Sequence, residues 1–111
     1  MHKLRLSTVE RREIVDEICK RLNHLRININ PRTISYLSDR VMIPLDFNEV
    51  RNASIILAPY GGGRYKIDVC LDFDDENKDI IESLVSEDWE DLAPFVQGIL
   101  KKLIVQGVIT L

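Results

Sequence analysis

The chain has 111 residues, 45% of them apolar and 30% charged, and a net charge of −3. That composition excludes low-complexity, collagen-like and intrinsically disordered chains and fits one domain over residues 1–111. Its charge is unevenly placed: residues 1–66 carry +5 and residues 67–111 carry −8. Two surfaces with different partners are therefore expected. Two cysteines, Cys19 and Cys70, are too few for a disulfide framework, which points to a reduced cytoplasmic protein. Met1 to Leu6 carries charges where a signal peptide needs an apolar run. The longest apolar run, Ile55 to Tyr60, is too short to span a membrane.

The first helix is expected from Ser7 or Thr8, with Glu10 completing a capping box. Ile14, Ile18, Leu22 and Leu25 recur at helical spacing, and Val15 and Cys19 widen the stripe. Asp16–Lys20 and Glu17–Arg21 are i,i+4 pairs in the favourable orientation, so part of the basic charge has a local partner. Arg26 to Asn30 reads as a small strand or an extended link.

Asn30-Pro31 predicts a second helix carrying Ile34, Leu37 and Val41, ending near Met42 because of Pro44. Asp46 predicts a short third helix to about Ala53, with Phe47, Val50 and Ala53 inward. The β-branched run from Ile55 then predicts a strand. Gly61-Gly62-Gly63 is the strongest turn signal and predicts a hairpin. The strand after it alternates: Tyr65, Ile67, Val69, Leu71 and Phe73 on one side, Arg64, Lys66, Asp68, Cys70 and Asp72 on the polar side.

Asp74, Asp75, Glu76 and Asn77 predict the start of a helix carrying Ile80, Ile81, Leu84 and Val85. The last helix carries Leu92, Phe95, Val96, Ile99, Leu100, Leu103 and Ile104, with Gly107 as its stop. Its long apolar stripe either closes the core or forms a homodimer interface. Val108 to Leu111 reads as an edge strand.

Helix, helix, helix, hairpin is the element order of a winged helix, and Ile34-Ser35-Tyr36-Leu37-Ser38-Asp39-Arg40-Val41 resembles the first helix of its helix-turn-helix. The resemblance covers about twenty residues. Met42 stands where a turn glycine is usual, and Pro44-Leu45-Asp46 lengthens the turn. The expected fold class is α+β: helices flanking a β-hairpin, winged-helix-like over residues 7–73, followed by two C-terminal helices over 75–107.

That resemblance implies a non-enzymatic DNA-binding regulator of transcription. Asn48, Glu49, Arg51 and Asn52 would be the exposed positions of the third helix, with Asn48, Arg51 and Asn52 suited to base edges in the major groove. Arg64 and Lys66 at the wing tip would reach phosphate or the minor groove, with Arg32 and Arg5 adding phosphate contacts. A dimer would suit palindromic double-stranded DNA.

The alternative is a protein-interaction adaptor or inhibitor whose acidic surface, residues 72–91, docks a basic protein partner. Asp74, Asp75, Glu76, Asp79 and Trp89 are its candidate residues, Trp89 either as a core-edge residue or as an interface anchor. The acidic run fails the calcium-loop register: from Asp72, position six is Asn77 and position twelve is Ser83. There is no metal-ligand His spacing, nucleophile elbow or phosphate-binding glycine motif followed by Lys-Ser/Thr. No cofactor, metal or enzymatic activity is expected.

Overall fold

The computed structural model describes residues 8–47, 51–72 and 78–109. It is a small α+β domain: helix α1 (Thr8–His24), five strands and helix α2 (Leu92–Val105). The strands are β1 (Ser35–Tyr36), β2 (Val41–Phe47), β3 (Arg51–Gly61), β4 (Arg64–Asp72) and β5 (Lys78–Ser86). They pair antiparallel as a simple meander, β1-β2-β3-β4-β5.

Both helices lie where their stripes predict. Ile14, Val15, Ile18 and Leu22 of α1 are buried, as are Leu92, Val96, Leu100 and Leu103 of α2. They join one core with a single face of the sheet. That face is set by alternation: Val41, Ile43 and Leu45 stand opposite Leu57, Ile55 and Ala53, which stand opposite Ile67, Val69 and Leu71. All nine are buried. Each large aliphatic side chain taken fully out of water contributes about 1.5–3 kcal/mol, so this layer contact is the main source of stability. Of the α2 stripe, Leu92, Val96, Leu100 and Leu103 are buried in the core, and Phe95, Ile99 and Ile104 are partly buried.

The predicted second helix is corrected to a single 3-10 turn, Pro31–Thr33, followed by a β-hairpin. The Asn30 cap forms as expected, its Oδ1 accepting from the Arg32 amide at 3.0 Å. The chain then turns extended at Ile34, with ψ 126°. Beyond it, Val41, Ile43 and Leu45 have period 2, and burying them against β3 outweighs the helical spacing of Ile34, Leu37 and Val41. Pro44 is tolerated because β1 covers only Val41 and Met42, leaving Pro44 on an uncovered edge.

The third helix over 46–53 is corrected as well. Asp46 and Phe47 end β2, Arg51 to Ala53 begin β3, and residues 48–50 lie outside the described residues. The helix-turn-helix element order is therefore replaced by strand pairing. Residues 78–86, expected to be helical, form β5, because Leu84 pairs with Ile67 and joins the core edge. A bulge between Val69 and Cys70 on the β4 side gives β5 one extra residue, Ile81.

The glycine hairpin is present. Gly62 and Gly63 have φ of +59° and +73° between the paired Gly61 and Arg64. Positive φ at both central residues is what a two-residue hairpin turn with the right twist requires. Arg26 belongs to the turn that closes α1, and Ile27 to Asn30 is a link without regular secondary structure, with Ile27 buried. Val108 and Ile109 form no strand; Ile109 folds back into the core. Cys70 lies on the side of β4 predicted to be polar, yet it is buried.

Candidate protein-docking surface

The face of the sheet turned away from the helices is open toward β5, where Ile80 and Val85 are exposed, and buried at Ser54 and Cys70. Met42, Ile56, Asp68 and Ser83 cross it in one register row; Pro44, Ser54, Cys70 and Ile80 form the next. Ile80 is 57% exposed and Val85 37%. Ser83 Oγ donates to Asp68 Oδ1, and Lys66 Nζ lies 3.8 Å from the same oxygen.

β5 leads into a turn built from its own acidic residues. The Asp88 amide donates to Ser86 Oγ at 3.1 Å, and that hydroxyl donates to Asp91 Oδ2 at 3.1 Å. The Glu90 amide donates to Asp88 Oδ1 at 3.0 Å. These bonds stiffen the backbone from Ser86 to Asp91 and leave the carboxylates facing water. Glu82, Glu87, Asp88, Glu90 and Asp91 are all exposed. Among the described residues none of the five is in an ion pair.

The basic side chains are spent differently. Arg21 pairs with Glu17 at 3.1 Å and bonds Gln97 Oε1 of α2. Arg40 pairs with Asp39 at 3.1 Å, and its hydrogen bond holds that carboxyl below the usual range. Arg11 donates to the backbone carbonyls of Leu37 and Ser38. Lys66 pairs with Asp68, and Arg64 Nε donates to the Gly61 carbonyl at 3.3 Å. The hollow between α1 and α2 is lined by Glu17, Lys20, Arg21, His24 and Gln97, where Glu17 pairs with Arg21 and Lys20 adds a further cation.

The structure separates the residues singled out in the sequence. Asn48, Asp74, Asp75 and Glu76 lie outside the described residues. Arg51 and Asn52 are consecutive positions of β3 and not of a helix. Asp79 is in β5, opposite Leu71, and Trp89 opens the 3-10 turn Trp89–Asp91. Arg64 and Lys66 do come together at the hairpin tip, both close to Tyr60, which the sequence does not single out. The Arg64 guanidinium carbon lies 5.2 Å and Lys66 Nζ 5.7 Å from the centroid of the Tyr60 ring. Tyr60 immediately precedes the glycine turn, and that position was the available signal. Glu82, Ile80 and Val85 were missed as surface residues because they were assigned to a helix.

Among the described residues no group of three or more His, Cys, Asp or Glu could hold a metal ion. No helix among them is long and apolar enough to cross a membrane. Comparison with protein-family models, curated proteins and solved structures found no match to this chain.

Proposed function

We propose that this chain is a non-enzymatic interaction domain that docks a basic protein partner through the acidic surface running along β5 and its following turn. One observation carries the reading: the exposed carboxylates of Glu82, Glu87, Asp88, Glu90 and Asp91 have no cation partner among the described residues, whereas Arg21, Arg40 and Lys66 each pair with a carboxylate and Arg11 and Arg64 bond backbone carbonyls. Unpaired like charges along one rim raise the local potential and steer an oppositely charged partner. Asp79 belongs to the same strand, and Asp74, Asp75 and Glu76 precede it in sequence. A cytoplasmic setting agrees with two cysteines that form no disulfide.

Calorimetric titration with poly-lysine at low ionic strength tests this reading. Charge reversal of Glu82, Glu87 and Glu90 to Lys is expected to weaken binding about tenfold or more. A control reversing the exposed Glu13, Asp16 and Asp39 changes net charge equally and is expected to bind more tightly than that variant. Equal loss in both variants, or no binding by the native chain, overturns the proposal.

Tyr60 supports a second reading, nucleic-acid contact at the hairpin tip. An exposed ring flanked by two cations is the composition that stacks and neutralises a single strand. This replaces duplex recognition by a helix, since residues 51–53 are strand. Fluorescence anisotropy with a labelled single strand at low salt distinguishes the two readings. Binding lost in a Tyr60→Ala, Arg64→Ala double variant supports nucleic-acid contact. No binding, together with flow-through on a heparin column, rejects it.

A further inference from the structure

Resting on the acidic-surface reading, we propose that the basic partner supplies an extended segment that adds to the free edge of β5 as a sixth strand. The sheet has two unlike edges. At one end, β1 covers only Val41 and Met42, and Pro44 follows on the uncovered part of β2. A proline there removes a donor and discourages strand addition. At the other end, β5 pairs with β4 alone among the described residues, runs for nine residues and contains no proline. Its outer row of amides and carbonyls is a template for another chain.

The bulge at Ile81 limits regular addition to Glu82–Ser86, where the pairing with β4 is continuous. Side chains of that stretch alternate. Val85, opposite Lys66, lies on the open face with Ser83, and exposed Ile80 lies on the same face across the bulge. Glu82, opposite Val69, lies on the helix side and is exposed. Glu87 and Asp88 continue from the strand's end. An incoming strand is therefore met by Val85 on one face, by Glu82 on the other, and by Glu87 and Asp88 at one end. The occupant that fits is an extended peptide alternating basic and aliphatic residues, held by backbone hydrogen bonds and steered by charge.

A ten-residue peptide alternating Lys and Val is the probe, and the same peptide N-methylated at alternate residues is its control. N-methylation removes backbone donors without changing charge or side chains. The unmodified peptide is expected to bind the full chain at least tenfold more tightly than the control, and to slow hydrogen exchange at alternate amides of Glu82–Ser86. Equal affinity for both peptides, with no new protection in β5, overturns strand addition while leaving charge-driven docking in place. Binding of neither peptide overturns both.

Discussion

Arg26 and Gly107 occupy the same position at the ends of the two helices, and both have left-handed backbone: φ is 64° at Arg26 and 74° at Gly107. Two hydrogen bonds at each end correspond. Ile27 N donates to Leu22 O at 3.0 Å and Arg26 N to Asn23 O at 2.9 Å; Val108 N donates to Leu103 O at 2.9 Å and Gly107 N to Ile104 O at 3.0 Å. This paired pattern satisfies carbonyls left over at a helix end and usually places glycine at the left-handed residue. In each case the residue after it packs back on the core, Ile27 against the α1 end and Val108 against the α2 end.

Arg26→Gly is therefore expected to raise stability. An L side chain in the left-handed region costs about 1–2 kcal/mol, partly offset by the greater unfolded-state freedom of glycine, for a net gain of about 0.5–1 kcal/mol. Gly107→Arg is expected to lower stability by a similar amount, since a Cβ there meets nothing within 4 Å and only the backbone is strained. Urea denaturation of the two variants checks both signs. Loss of stability in Arg26→Gly would mean that the arginine side chain makes a contact outweighing its strain.

Arg11 ties α1 to the first hairpin. Its guanidinium donates to Leu37 O and, at 2.9 Å, to Ser38 O, across 26 and 27 residues of sequence. The turn itself closes with Leu37 N donating to Arg40 O at 2.8 Å. Arg11→Ala is expected to cost about 1 kcal/mol, the value of a charge-assisted bond discounted for its exposed setting. Arg11→Lys recovers only part of this, because an ammonium lacks the planar fork that meets two carbonyls at once. Hydrogen exchange at the Leu37 amide reports the same loss locally.

Both long helices and the glycine hairpin were legible in the sequence because one periodicity governs each. Ile14, Val15, Ile18 and Leu22 can share a face only in a helix, and Ile67, Val69 and Leu71 only in a strand. The segments that misled carry two periodicities at once. Val41, Ile43 and Leu45 alternate, but Ile34, Leu37 and Val41 also suit a helix, and Pro44 read as a helix stop rather than as an edge residue. In β5, Ile80, Ile81, Leu84 and Val85 imitate a helical stripe because apolar residues stand on both faces of the strand, Leu84 at the core edge and Ile80 and Val85 on the opposite face. The acidic surface was legible as composition. Its edge-strand setting was not, because that depends on which strand ends the sheet.

Neighbouring isoleucines in β3 test the assignment of faces. Ile55 stands between Ile43 and Val69 with no exposure, whereas Ile56, one residue on, faces away from the helices and is half-buried. Ile55→Ala is expected to cost about 3 kcal/mol through lost burial and the cavity it leaves. Ile56→Ala is expected to cost about 1 kcal/mol, for burial alone. Chemical denaturation of the pair decides the matter; a reversed order would put the core on the other face of the sheet.

Cys19 is the last test, because its environment sets the sign of a pH effect. Burial beside the α1 stripe pushes its thiol pKa up, the nearby Asp16 carboxylate adds to the rise, and a backbone hydrogen bond partly opposes it. The folded chain therefore holds the neutral thiol at pH values where the unfolded chain has begun to ionise. Between the unfolded and the folded pKa the native state binds more protons, so this contribution to stability is full below the ordinary thiol range and falls as pH rises through the raised value. The thiolate is the reactive form, so alkylation of Cys19 in the native chain at neutral pH is expected to be slow and to accelerate on unfolding. Asp16→Asn removes one cause of the rise and is expected to speed native alkylation at alkaline pH without changing the rate in denaturant. An unchanged native rate in that variant would mean that burial alone controls the thiol.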